Sequence, residues 1–206
     1  MNRLKDFKIY LKENKDKGGL TIFDIDETLM HTTAKVGVVK NGKTVRELNN
    51  QEYNTYRLKP GEEYDYRQFR NAKKFRDESK PIKNMFEKAK AILRNVVRKP
   101  NSKMIIVTAR NDFDDKEVFL DTFRKHGLDI DKVRVERAGK IPGYSPAVKK
   151  AIIINNYLAT GQFGRVRLFD DALDNLREFL KLQRKFKDVK FEAYFVTKDG
   201  TIRTVK

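Results

Sequence analysis

Two aspartates, Asp24 and Asp26, stand one residue apart after an apolar run in GGLTIFDIDETLMHTT (residues 18–33). Residues i and i+2 of a strand share a face and lie about 6.6 Å apart. Carboxylates with this spacing could flank a phosphorus centre and hold the attacking and leaving oxygens in line. We therefore expect Asp24 to act as a nucleophile. We expect Asp26 to protonate the leaving oxygen and then to deprotonate the attacking water.

The elements that must position these carboxylates alternate along the chain. LTIFDID (20–26) reads as a buried strand, and helical patterns separate it from later runs of the same kind. Those runs cover residues 103–110, 132–138, 165–171 and 190–197, the last with the alternation of an edge strand. Strands that alternate with helices predict an α/β fold, a parallel sheet with helices on both faces. A further helix is predicted from residue 1 to about 17.

Polar residues follow three of the predicted strands at their carboxyl ends, where ligands bind in such sheets. Besides Asp24 and Asp26, these are Thr108-Ala109-Arg110 and Asp170-Asp171. Thr108 and the backbone after it, at Ala109, are expected to donate hydrogen bonds to a phosphoryl group. Arg110 could contact phosphate or pair with an acid.

Repulsion between the aspartates predicts a cation nearby. Asp170 would add a third carboxylate, and Mg²⁺ is the hard cation that such oxygen ligands favour. A lysine at the start of the helix PAVKKAIIINNYL could add charge beside a helix amino terminus, which itself favours anions. Lys149 is the candidate, although the adjacent Lys150 is an open alternative.

The segment between residues 31 and 80 interrupts the alternation. AKVGVVKNGKTVREL predicts a β-hairpin with Asn41-Gly42 in its turn. The aromatic and basic run from Tyr53 to Arg76 could stack bases and bind phosphates, or it could simply pack. We interpret residues 31–80 as a flap or small cap inserted into a core domain made of residues 1–30 and 81–206.

Composition narrows the functional classes. Lys and Arg number 46 against 29 Asp and Glu in 206 residues, a net charge of +17. That excess favours polyanionic partners or substrates, nucleic acid among them, although it could also serve solubility alone. The absence of cysteine excludes disulfides, thiolate catalysis and cysteine zinc sites. No signal peptide or membrane span is evident, so a cytoplasmic location is expected.

Four motifs in order resemble those of the haloacid dehalogenase (HAD) superfamily. DIDET resembles the first motif, IIVTAR the second, the lysine of AVKKA the third and LFDDALDN the acidic fourth. Together they extend over residues 20 to about 197. An aspartate at the position of Asp26 is typical of the phosphatase and phosphomutase branches.

The resemblance implies a Rossmann-like core with strand order 5-4-1-2-3. It implies that Asp24 is the nucleophile, Asp26 the acid and base, and Thr108 a phosphate ligand. Asp24, the backbone carbonyl of Asp26 and Asp170 would hold Mg²⁺. Either Asp171 or Asp174 would be the supporting acid.

The predicted function is that of a Mg²⁺-dependent phosphomonoesterase with an aspartyl-phosphate intermediate, acting on nucleotides or phosphorylated nucleic-acid ends. The compact layout and basic surface are similar to the phosphatase half of polynucleotide kinase/phosphatase enzymes and to small HAD hydrolases of bacteriophages. One alternative is a HAD-fold protein that binds nucleic acid without turnover. Another is a phosphotransferase or phosphomutase, although excluding water from such a reaction usually takes a larger cap.

Overall fold

The computed structural model describes residues 17–206, and the helix predicted from residue 1 to about 17 lies, apart from Lys17, outside them. The strands are β1 (Gly18–Phe23), β2 (Met30–His31), β3 (Val36–Lys40), β4 (Lys43–Leu48), β5 (Glu62–Asp65), β6 (Lys80–Pro81), β7 (Lys103–Thr108), β8 (Arg134–Arg137), β9 (Phe163–Asp170), β10 (Lys190–Val196) and β11 (Ile202–Val205). The α-helices are α1 (Asn50–Thr55), α2 (Ala72–Glu78), α3 (Lys83–Val96), α4 (Lys116–Arg124), α5 (Pro146–Leu158) and α6 (Leu173–Lys181).

The main sheet has six strands in the order β11-β10-β9-β1-β7-β8. Within this sheet, β10, β9, β1, β7 and β8 are parallel to one another, and β11 pairs antiparallel with β10. The prediction of an α/β fold with a mostly parallel central sheet is confirmed. The prediction that residues 190–197 form an edge strand is wrong, because the short β11 covers that edge after a turn at Gly200, where φ is +79°.

Successive side chains of the sheet enter two separate cores, as the two-residue period of a strand requires. Phe23 of β1 packs in a core with α3 and α4, whereas Leu20 and Ile22 pack in the other with α5 and α6. The sheet is therefore covered on both faces, and its free carboxyl edge is the place where polar side chains can meet. Among residues 17–206, no helix has both the length and the apolar character that a membrane span needs.

Residues 31–80, called the insert below, carry a second sheet of order β4-β3-β5. The β3–β4 hairpin turns at Asn41 and Gly42, whose φ values of +51° and +74° suit the left-handed conformation that this residue pair favours. The insert has a small core of its own, in which Val36, Val38 and Leu48 pack against aromatic rings. The exact domain boundaries at residues 31 and 80 stay a prediction.

Candidate functional site

Asp24 and Asp26 lie at the point where the chain leaves β1. The Asp24 N–H donates to the carbonyl of Phe169 at 3.0 Å. This hydrogen bond extends the pairing of β1 with β9 by one residue beyond the end of β1. The carbonyl of Ile25 then accepts from the N–H groups of Thr28, Leu29 and Met30, which closes a tight turn. Ile25 itself is buried in the core, so the two aspartates on either side of it are left facing the site.

A buried lysine joins Asp24 to Asp170. Lys150 is only 2% exposed, and its Nζ lies 2.7 Å from Asp24 Oδ1 and 2.8 Å from Asp170 Oδ2. The sequence prediction favoured Lys149, and the structure corrects it: the lysine in contact with the carboxylates is Lys150. Lys149 lies one residue round the helix and lines the cavity described below instead.

The protonation states of Asp24 and Lys150 depend on their burial and on the charges of neighbouring side chains. Burial, with the charges of Asp170 and Asp26, raises the pKa of Asp24 to about 7 despite the opposing effect of Lys150. Burial lowers the pKa of Lys150, but Asp170 and Asp24 outweigh it and raise that pKa above its usual range. The lysine is therefore charged at neutral pH, while Asp24 can hold a proton when no further cation is present.

Asp171 completes an acidic group. Carboxylate oxygens of Asp24, Asp170 and Asp171 lie within 4.8 Å of one another. Asp170 Oδ1 is occupied, since it accepts from the Ala172 N–H at 2.9 Å and from Asn175 Nδ2 at 2.8 Å. Burial and the charges of Asp170 and Asp24 raise the pKa of Asp171 to about 8.

The acidic group fits a divalent cation. Within residues 17–206, the largely buried side chain of Asp171 has no hydrogen-bond or ion-pair partner, so its ionised form is offset only by charges at a distance. Such oxygen ligands suit Mg²⁺. The sequence left Asp171 and Asp174 open as the supporting acid. Asp171 lies in the acidic group, whereas the Asp174 side chain is 83% exposed and pairs with Arg177.

Asp26 is held by an arginine through both of its oxygens. Arg110 Nε donates to Asp26 Oδ2 at 2.9 Å and Nη2 to Oδ1 at 2.7 Å, while Thr32 Oγ1 donates to Oδ1 at 2.9 Å. Burial acts to raise the pKa of Asp26, but the guanidinium of Arg110 and these hydrogen bonds hold that pKa below its usual value. The carboxylate of Asp26 is therefore ionised.

Arg110 also ties the insert to the core. Its Nη1 donates to the carbonyl of Phe69 at 2.9 Å, and its guanidinium lies over the rings of Phe69, Phe75 and Phe113 at 4.7 to 5.5 Å from their centres. Of the two roles that the sequence left open for Arg110, the structure therefore shows pairing with an acid. The proposed contact with substrate phosphate stays a prediction.

The other predicted phosphate ligands differ in accessibility. Thr108 is fully buried, and its Oγ1 accepts the Arg110 N–H at 3.1 Å. Ala109 borders the cavity together with Asn111. Binding of phosphate by Thr108 and Ala109 is untested by the geometry and stays a prediction.

The site opens into a cavity of about 450 Å³ between the core and the insert. Asp24, Asp26, Lys150 and Asp171 border it on the core side, and Tyr53, Tyr66, Phe69 and Arg70 on the insert side. A larger cleft of about 840 Å³ lies at the opposite edge of the sheet and contains none of these residues.

Sequence reasoning missed two residues of the site. Asn175 donates to Asp170 from the first turn of α6. Its position five residues after that aspartate, at the start of the predicted helix, is a sequence signal that could have identified it. Tyr144 lines the cavity from the loop before α5. Nothing in the sequence around Tyr144 marked it, because its position depends on how the loop packs.

Comparison with solved structures identifies the fold. The HAD domain of the effector protein Lem4 from Legionella pneumophila superposes with a TM-score of 0.52 over 86% of this chain and 85% of that chain, at 11% sequence identity. An inactive mutant of the same domain gives a TM-score of 0.47 at 13% identity. The chain has the HAD fold. No protein-family model matches the sequence, and no curated protein matches it either.

Proposed function

We propose that this HAD-fold protein is a phosphomonoester hydrolase that depends on Mg²⁺ and works through an aspartyl-phosphate on Asp24. The observation that carries the proposal is the arrangement around that residue. A buried carboxylate at a strand end shares a charged lysine with Asp170 and borders an open cavity. It also stands beside Asp171, which has no hydrogen-bond or ion-pair partner among residues 17–206. The four HAD-like motifs of the sequence support the same function.

In the first step, an oxygen of Asp24 would form a bond to phosphorus as the bond from phosphorus to the leaving oxygen breaks. Asp26 would give its proton to that oxygen. Arg110 stabilises the ionised form of Asp26, but a phosphate dianion beside this carboxylate would raise its pKa and favour proton uptake. In the second step, water would attack phosphorus, its proton would pass to Asp26, and the bond to Asp24 would break.

Asp24, Asp170 and Asp171 would hold Mg²⁺, with the backbone carbonyl of Asp26 as the further ligand that the family resemblance implies. When bound, the cation would offset the negative charge of these carboxylates and of the phosphoryl group. Lys150 keeps Asp24 and Asp170 in place beside each other. Asn175 and the Ala172 N–H hold Asp170 in place by donating hydrogen bonds to its other carboxylate oxygen, Oδ1.

The proposed substrates are nucleotides or the phosphorylated ends of nucleic acids. A net charge of +17 raises the concentration of polyanions near the protein, and among residues 17–206 four basic side chains border the cavity. These are Arg70, Arg110, Lys149 and Lys150.

The test is phosphate release from p-nitrophenyl phosphate and from nucleotides, with Mg²⁺ and with EDTA. We expect activity with Mg²⁺, none with EDTA, and none in Asp24→Asn, because an amide is no longer a competent nucleophile. Asp174→Asn is the matched control, since Asp174 is an exposed aspartate outside the acidic group. Full activity of Asp24→Asn, or full activity in EDTA, would contradict the proposal. Transfer of the phosphoryl group to an added alcohol in preference to water would favour a phosphotransferase.

A further inference from the structure

Two tyrosines from different parts of the chain border the cavity that contains Asp24. Tyr66 belongs to the insert and is 45% exposed, and Tyr144 belongs to the core loop before α5 and is 59% exposed. Large rings that remain exposed in a concave, charged site are available for a ligand.

The ring of Tyr66 is fixed by its neighbours. Its hydroxyl forms a hydrogen bond of 2.8 Å with the hydroxyl of Tyr53, and its ring lies edge-on to Tyr53 and tilted against Tyr64, with centres 6.0 Å apart in both cases. Tyr66 therefore presents a surface whose orientation is already set, so little side-chain entropy is lost when a ligand stacks on it.

Tyr144 differs in having no such support. Within residues 17–206 its side chain makes no hydrogen bond and no ring contact, although it stands directly before Ser145, the residue that caps α5. Hydrogen bonds and ring contacts within the described part of the chain therefore do not account for a large ring at this position, whereas a ligand in the cavity would.

The insert is anchored where these rings meet the core. The Asp114 N–H donates to the carbonyl of Arg70 at 3.0 Å, the Ala72 N–H donates to Asp114 Oδ1 at 2.8 Å, and Arg110 holds the carbonyl of Phe69. The cavity wall that carries Tyr66 is thus tied to the core at three points, and the site is largely formed before a ligand binds.

We propose that Tyr66 and Tyr144 form a stacking subsite for the base of a nucleoside monophosphate whose phosphate lies at Asp24. This assignment rests on the proposed function and deepens it by naming the group that is recognised beyond the phosphate. Base–aromatic stacking tolerates every base, because each has a π-face. Arg70 and Lys149 border the same cavity as the two rings and supply charge for a ligand that is anionic as well as planar.

The direct test compares AMP with ribose 5-phosphate, which differ only by the base. Equilibrium binding to Asp24→Asn in Mg²⁺ needs no turnover, so it gives an answer even if the chain hydrolyses nothing. We expect AMP to bind about tenfold or more tightly than ribose 5-phosphate, the effect of about one stacking contact. Equal affinities would overturn the subsite, whereas failure to hydrolyse p-nitrophenyl phosphate would overturn only the proposed hydrolysis.

Further substitutions added to Asp24→Asn identify the residues that cause the preference for AMP over ribose 5-phosphate. Tyr144→Ala should bring the ratio of the two affinities close to one, and because Tyr144 is 59% exposed and its side chain makes no hydrogen bond within residues 17–206, the variant should fold. Tyr66→Phe keeps the ring and should keep the ratio. Leu58→Ala, a change at an exposed apolar residue of the insert outside the cavity, is the matched control. An unchanged ratio in Tyr144→Ala would contradict the assignment.

Two further probes separate the sources of the nucleotide. A trinucleotide with a terminal phosphate that binds at least as tightly as AMP would support a strand end as the ligand, and weaker binding would support a free nucleotide. Phenyl phosphate carries a ring without the sugar. An advantage for phenyl phosphate with none for AMP would overturn the nucleotide assignment.

Discussion

Arg110 holds Asp26 by both carboxylate oxygens, at 2.7 and 2.9 Å, from a side chain that is itself 1% exposed. The same guanidinium donates to the carbonyl of Phe69 in the insert. One residue therefore contributes both to the orientation of the proposed acid and base and to the docking of the insert. A lysine could replace its charge but not its planar set of donors.

Arg110→Met is expected to lower the free energy of unfolding by about 3–5 kcal/mol, because it leaves Asp26 buried without its partner. Asp26→Asn should also destabilise, since it leaves the arginine charge unpaired. The double variant should lose less than the sum of the two, by roughly 0.5–3 kcal/mol. Urea unfolding of the four chains measures this coupling, and strict additivity would argue against the pair as a stabilising unit.

Asp26→Asn is expected to slow hydrolysis in proportion to how much the leaving group needs a proton. The loss in kcat should be small for p-nitrophenyl phosphate, whose leaving group departs as an anion, and much larger for AMP, which releases an alcohol. Steady-state rates with both substrates measure the difference. Equal losses would count against Asp26 as the proton donor.

Replacing the two adjacent lysines should have unequal effects on stability. Lys150→Met leaves Asp24 and Asp170 buried side by side without their shared cation, which should cost about 3–5 kcal/mol at neutral pH. Lys149→Met should change stability by less than about 0.5 kcal/mol, as substitutions outside such networks do. Chemical denaturation of both variants measures the two losses of stability. A loss in Lys149→Met that equals or exceeds the loss in Lys150→Met would contradict the prediction.

The sequence could predict those features of the site that depend on local patterns along the chain, and not those that depend on tertiary packing. Asp24 and Asp170 were found because an apolar run followed by a carboxylate marks a strand end, and parallel strand ends converge. The choice between neighbouring lysines was not predictable, since successive residues of a helix point about 100° apart and tertiary packing decides which faces inward. The partner of Arg110 and the position of Tyr144 depend on how the insert and a loop dock, which no local pattern encodes.

Gly139→Ala is expected to disturb the site through the backbone. A Cβ at this position would lie 2.6 Å from the carbonyl oxygen of Ala109 and 2.7 Å from the carbonyl of Arg110, which accepts the Gly139 N–H. Backbone atoms cannot move aside as a flexible side chain can, so overpacking should cost about 1–3 kcal/mol and shift Arg110. Gly143→Ala meets no neighbouring atoms, and its φ of +81° makes it a control for backbone strain alone. Unaltered activity and stability in Gly139→Ala would show that the loop relaxes freely.

The stability of the metal-free protein should fall as pH rises from 7 to 9. Asp24 and Asp171 have pKa values raised to about 7 and about 8, so the folded state binds protons that the unfolded state has already released. For a raised carboxyl pKa, that stabilisation is lost as pH rises through the folded value. The loss should be on the order of 1 kcal/mol, a decrease of roughly 2–4 °C in the melting temperature.

Mg²⁺ should counteract this fall, because a bound cation favours the ionised carboxylates whose mutual repulsion destabilises the metal-free site. The increase in melting temperature on adding Mg²⁺ should therefore be larger at pH 9 than at pH 7. Asp171→Asn removes one titrating group from the acidic group, so it should flatten the pH dependence and weaken the effect of Mg²⁺. Asp174→Asn should change neither, since its carboxylate is exposed and paired with Arg177. Thermal unfolding of the three chains with EDTA and with Mg²⁺ tests this, and an effect of Mg²⁺ that is equal at both pH values would contradict it.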